Sequence, residues 1–138
     1  MSDRHERNFL RWLADHERGT WREDLRSRYA PWFDGMPWGF EVGDGWRALI
    51  EQLTAEVSDI VGGPDVDPKP RVVQVKEKFG ELRYYIRAVP ASHADAIYEA
   101  VMRAEARSRR TCEACGAAGE LRQTAGGYLY TSCRAHIQ

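Results

Sequence analysis

Three cysteines and one histidine near the end of the chain are the residues whose types and spacing specify chemistry. Cys112-Glu113-Ala114-Cys115 and Cys133-Arg134-Ala135-His136 present two ligand pairs, each with two residues between its ligands. That gap lets both side chains of a pair reach one metal ion while knuckle N–H groups point at sulfur, so the four residues read as a Cys3His zinc site. Four protein ligands complete a tetrahedral shell and leave no position for a reactive water. The expected cofactor is therefore a structural Zn2+. Its binding free energy becomes folding free energy for a segment with only Leu121, Tyr128, Leu129, Tyr130 and Ile137 to bury.

Catalytic readings of the same residues fail on detail. A nucleotide deaminase sets His-x-Glu ahead of Pro-Cys-x-x-Cys, whereas His93-Ala94-Asp95 and Thr111-Cys112 place aspartate and threonine at the two decisive positions. A treble-clef nuclease requires a further histidine-rich pair facing the metal, which the sequence does not supply. Glu77 and Glu81 have no neighbouring nucleophile or histidine, and cross-strand ion pairing accounts for them. No catalytic residue is assigned, and the expected mode of action is binding.

Two surfaces are candidates for it. The loop Trp32, Phe33, Trp38 and Phe40 holds large rigid rings of the kind that anchor protein interfaces, and so forms the candidate partner surface; the competing reading packs the same rings as a small second core. Arg103, Arg107, Arg109 and Arg110, joined by Arg122 and Arg134, make the metal end the basic end and are candidate nucleic-acid contacts. Their competing reading is a solvated helix end whose arginines offset the helix dipole.

The elements that must hold these groups follow from periodicity. Phe9, Leu10, Trp12, Leu13 and His16 share one stripe and predict a helix over about 4–17; Thr20-Trp21-Arg22-Glu23 has the form of a capping box and opens a second helix over 21–29. Pro31 to Gly45 is a loop rich in Gly and Pro. Asp44 is the expected N-cap of a core helix over 45–61, closed by Gly62-Gly63-Pro64. The period then changes to two, predicting a hairpin over 71–88 that turns at Lys78-Phe79-Gly80-Glu81, with Val73 and Val75 alternating against Gln74 and Lys76. Ser92 is the expected cap of a last helix over 93–108. A knuckle, a short hairpin and a final helical turn complete a treble-clef or ribbon-like finger.

The fold class is thus α+β, with helices packed on a β-hairpin in residues 1–110 and a structural zinc finger in 111–138. The 138 residues carry a net charge of −1, so no global field selects an acidic or basic partner. No stretch approaches the roughly 18 apolar residues of a membrane span. Met1 to Arg7 is charged where a secretory signal is apolar, and an odd cysteine count argues against a disulfide framework. The expected location is cytoplasmic.

Three segments taken together, Pro37-Trp38-Gly39-Phe40 through Gly43-Asp44-Gly45-Trp46, Val75 to Arg83, and the Cys-x2-Cys and Cys-x2-His pairs, resemble a widespread group of small, functionally uncharacterised bacterial and phage-borne proteins. The likeness covers about residues 37–138 and implies a shared fold and metal. The residues themselves favour a non-enzymatic protein that binds another protein, as a modulator or immunity-type inhibitor, with nucleic-acid binding as the alternative.

Overall fold

Residues 11–13 and 15–138 are described by the computed structural model. The chain order is α1 (Trp21–Arg28), β1 (Phe40–Glu41), α2 (Arg47–Val61), β2 (Arg71–Lys78), β3 (Glu81–Arg87), α3 (Ala91–Ser108), β4 (Glu120–Gln123) and β5 (Leu129–Ser132), with 3-10 turns at Asp44–Trp46 and Arg134–His136. The α+β class read from the sequence is the class observed. Residues 11–13 and 15–17 are helical, within the first helix expected. His5, Phe9 and Leu10 lie outside the described residues.

The core is organised around α2. Leu49, Ile50, Leu53, Val57 and Val61 recur on one face of this helix and are all buried. The helix ends where Gly62 takes a φ of 105°, which a residue without Cβ adopts without strain, and its N–H bonds to Ser58 O at 3.1 Å. On the other side of the core, Leu82 and Tyr84 of β3 face α2, and the Tyr84 hydroxyl meets Thr54 Oγ1 at 2.9 Å. Burial holds the Tyr84 phenol far above its ordinary value, so it remains a neutral hydrogen-bonding group.

The hairpin turns through Phe79 and Gly80, both at positive φ (56° and 80°), as a tight turn matched to strand twist requires. Its register contains one irregularity, between Val72 and Gln74. Val72 and Val75 are three residues apart, so strict alternation would send them to opposite faces, yet both are fully buried. The extra residue, Val73, reconciles the two. The expectation that Val73 shares the buried face with Val75, both alternating with Gln74 and Lys76, is corrected accordingly: Val73 is only half-buried. β1 pairs with β2 in parallel, Phe40 against Val75, and the sheet order is β1-β2-β3.

Two expected caps are also corrected. Asp44 does not cap α2, which starts from Trp46 without a side-chain cap. Its carboxylate instead accepts hydrogen bonds from Trp21 Nε1 and Arg22 Nη1, both at 2.9 Å. Ser92 lies inside α3, which opens at Ala91 behind Pro90. Thr20 does cap α1, its Oγ1 accepting the Arg22 N–H at 3.2 Å.

The aromatic loop belongs largely to the core. Trp32, Phe33 and Phe40 are buried, Trp32 Nε1 donates to Pro64 O, and the Phe33 and Phe40 rings pack at 5.1 Å. Of the four rings expected at a partner surface only Trp38 is exposed, at 60%. The reason is that β1 places Phe40 on the inner side of the sheet, opposite the buried Val75, and draws its neighbours in with it.

Arg22 is buried, and Asp44 provides its only carboxylate among the described residues. Asp44→Ala is expected to destabilise the fold by about 1–3 kcal/mol, the cost of leaving a buried donor unpaired. The Trp21 and Arg22 hydrogen bonds hold the Asp44 carboxyl below its ordinary 3.8. Its contribution is therefore present above 3.8 and lost as pH falls through the folded-state value. Urea unfolding of both proteins at neutral and acid pH checks this: a gap that fails to open at neutral pH, or persists in acid, contradicts it.

Candidate functional site

α3 leads directly into the metal-binding segment. After Ser108 the chain turns so that Cys112 N–H reaches Ala117 O and Gly116 N–H reaches Cys112 O, both at 2.8 Å, which closes the knuckle. Gly116 takes a φ of 83° to make that turn. β4 and β5 then form an antiparallel hairpin, Glu120 opposite Ser132, and return the chain to Cys133 beside the knuckle. The 3-10 turn that follows swings His136 back over Cys133. The finger therefore has the knuckle, hairpin and terminal helical turn read from the sequence.

The four expected ligands converge. A tetrahedral metal at about 2.3 Å from sulfur sets neighbouring ligand atoms about 3.8 Å apart. Cys115 Sγ and Cys133 Sγ lie 3.7 Å apart, Cys112 Sγ and His136 Nδ1 3.7 Å, and Cys133 Sγ and His136 Nδ1 3.2 Å. All four ligand atoms fall within 4.8 Å of one another. Three soft sulfurs and an imidazole at these distances fit a thiophilic ion such as zinc.

Electrostatics favour thiolates at two of the three sulfurs. Burial pushes the Cys112 thiol up, but N–H groups of Cys133, Cys115 and Ala114 aimed at its sulfur outweigh that and bring it down to about 6. The imidazole of His136 lowers Cys133, and Cys133 in turn raises His136. At Cys115 the Ala117 N–H acts downward, yet desolvation and the neighbouring sulfurs of Cys133 and Cys112 leave the thiol above its ordinary value. A bound cation removes that last obstacle.

The knuckle is seated on the core by residues that carry no metal chemistry. Gly45 N–H donates to Glu113 O at 2.7 Å, Gly43 N–H to Glu113 Oε2 at 2.9 Å, and Trp46 Nε1 to Thr111 O at 2.9 Å. A Cβ on Gly45 would lie 2.1 Å from Cys112 O, so the chains meet at a distance only glycine permits. At the opposite side Thr131 Oγ1 donates to Gly80 O at 2.6 Å. The Gly43-Asp44-Gly45-Trp46 segment and the Phe79-Gly80 turn are thus two halves of one cradle. Sequence reading missed Glu113, whose place inside the Cys-x2-Cys pair marked it only as a spacer.

Half of the expected basic face is neutralised, since Arg103, Arg109 and Arg122 face acids while Arg107 meets only a neutral amide. Arg103 pairs with Glu56, Arg107 with Gln52, Arg109 with Glu81, and Arg122 with Ser132 and Glu120. Arg110 and Arg134 are exposed.

A different surface stands out. Between β3 and α3 runs an open groove of about 850 Å3, lined by Val73, Tyr85, Ile86, Tyr98, Val101 and Met102 among others. A smaller depression beside Trp38 shares Val73 and Gln74 with it. Exposed Tyr85 of β3 and Tyr98 and Met102 of α3 border the groove, and exposed Trp38 borders the adjoining depression.

No family model, curated protein or solved structure matches this chain. Among the described residues no helix is long and apolar enough to cross a membrane.

Cobalt(II) added to the metal-free protein is expected to bind at one equivalent with the visible absorption of tetrahedral thiolate coordination, and Cys115→Ala to abolish that spectrum; an octahedral spectrum would remove the site. Gly45→Ala, which forces Cys112 away from the core, is expected to weaken metal binding about 10–100-fold while leaving every ligand in place. Competition with a chromophoric chelator measures it.

Proposed function

We propose that the protein is a non-enzymatic, zinc-stabilised module that acts by binding another protein, in the manner of a modulator or immunity-type inhibitor. The observation that carries this reading is the pair of adjoining depressions, one beside Trp38 and one between β3 and α3 beside Tyr98 and Met102, which share Val73 and Gln74. Tyr98 is 65% exposed, and Trp38 nearly as much. Contiguous exposed apolar surface rimmed by polar groups marks interaction sites, and aromatic and methionine side chains are enriched there. Zinc serves as the staple of the finger, because Cys112, Cys115, Cys133 and His136 take all four coordination positions.

Nucleic-acid binding through the basic helix end is the alternative. It rests on Arg110 and Arg134, since the other four arginines of that set already face protein groups.

A photo-crosslinking amino acid placed at Tyr85 or Tyr98 in cells is expected to give a discrete protein adduct, absent when the same group stands at Tyr128 in the finger hairpin. Equal adducts at all three positions, or an adduct digested by nuclease rather than protease, would contradict the reading.

A further inference from the structure

Across β2 and β3 the sheet sets like charges against each other twice: Lys76 lies opposite Arg83, and Arg71 opposite Arg87. Strand alternation places these four on the outer face with Tyr85, and directly opposed like charges destabilise a sheet. Elsewhere the chain answers its arginines with carboxylates, Arg22 with Asp44 and Arg26 with Glu17, and on this face Glu81 answers Arg83, which leaves Arg71 and Arg87. Arg71 and Arg87 are both exposed, and among the described residues neither guanidinium has an ion-pair or hydrogen-bond partner. The Arg71 guanidinium lies over Gly35, with Nη2 3.3 Å from where a Cβ would stand. Arg87 lines the apolar groove itself.

α3 covers the free edge of β3 at Leu82, whose N–H donates to Ser108 Oγ at 2.9 Å, and sets the Glu105 carboxylate beside Tyr84. A ligand on this face is therefore read through side chains rather than by backbone pairing. Of the nearby acids, Glu81 is committed to Arg83 and Arg109, Glu105 sits beside Tyr84 on the far edge of β3, and Glu41 lies beside Lys76.

We propose that this face binds an acidic segment of a partner protein, whose carboxylates pair with Arg71 and Arg87 and whose neighbouring apolar side chain fills the groove beside Ile86, Tyr98 and Val101. Planar guanidiniums bind carboxylates in a fixed fork, and an aliphatic groove next to them accepts a protein side chain where a base would require a stacking platform. This rests on the protein-binding reading above and names the chemistry of the partner.

The test is selection from a randomised displayed peptide library on the zinc-loaded protein, followed by affinity measurement with synthetic peptides. Enriched peptides are expected to combine Asp or Glu with an aromatic or aliphatic residue. Arg71→Ala with Arg87→Ala is expected to weaken the selected peptide about ten-fold, the combined worth of two rim ion pairs. Arg71→Glu with Arg87→Glu is expected to select basic peptides instead. Replacing the acids of the peptide by amides makes the same comparison without altering the protein. Peptides without acidic bias, or affinity indifferent to both the arginines and the peptide acids, would overturn the inference; loss on Tyr98→Ala in that case would leave the protein-binding reading standing. Tighter binding of a single-stranded oligonucleotide at the same arginines would overturn both. A library that yields no enriched peptide would overturn the inference alone, because crosslinking at Tyr85 and Tyr98 tests the broader reading independently.

Discussion

The approach of Gly45 to the Cys112 carbonyl is the constraint on which the rest of the molecule depends. At that point a backbone loop of the α+β core and the backbone of the metal knuckle come together with no side chain between them, and Glu113 and Trp46 hydrogen-bond across the junction. The expected division at residue 110 is a change in composition more than a physical boundary. One side of the seam carries the four converging ligands, and the other is set by the burial of α2. Neither side can shift without unpairing donors that the other holds, and an unpaired buried donor costs about as much as a substantial fraction of a small domain's stability.

This coupling explains how a finger with so little core holds a fixed structure. Leu121, Tyr128 and Ile137 are exposed, and Tyr130 is the large apolar side chain of the hairpin that is buried. Hydrophobic burial on this scale does not offset the backbone entropy of ordering the segment. An ion held by the four converging ligands would provide the missing free energy, and docking on Gly43 to Trp46 and on Gly80 would pass that order to the core. The exposed side of the hairpin is then free of any structural requirement.

Much of this was legible because it is local. Ligand spacing in a Cys-x2-Cys pair encodes metal geometry directly, and the 3.6-residue period of α2 encodes its buried face. The failures share a cause. Whether Val73 or Val72 faces the core depends on a bulge that exists only once β2 has paired with β3. Asp44 is a good cap in isolation, but Trp21 and Arg22 reach it first, from a helix twenty residues away in the chain; local propensity yields to such tertiary competition. The rings of Trp32, Phe33 and Phe40 were ambiguous for the same reason, since their burial follows from a two-residue parallel strand inside a Gly- and Pro-rich loop that composition does not reveal.

The distribution of charge closes the argument about where contact takes place. A protein that pairs nearly every arginine of its helices with an acid has been relieved of most unbalanced charge, so an unbalanced position is informative. The outer face of the hairpin is such a position, because Arg71 and Arg87 stand opposite each other without a carboxylate, whereas Arg83 beside them is answered by Glu81. The sheet tolerates this because the inner residues Val72, Val75, Leu82 and Tyr84 fix the register, and a one-residue slip would expose all of them. Register held from one side lets the other side carry residues chosen for something other than folding, and on this molecule those residues are cationic and aromatic.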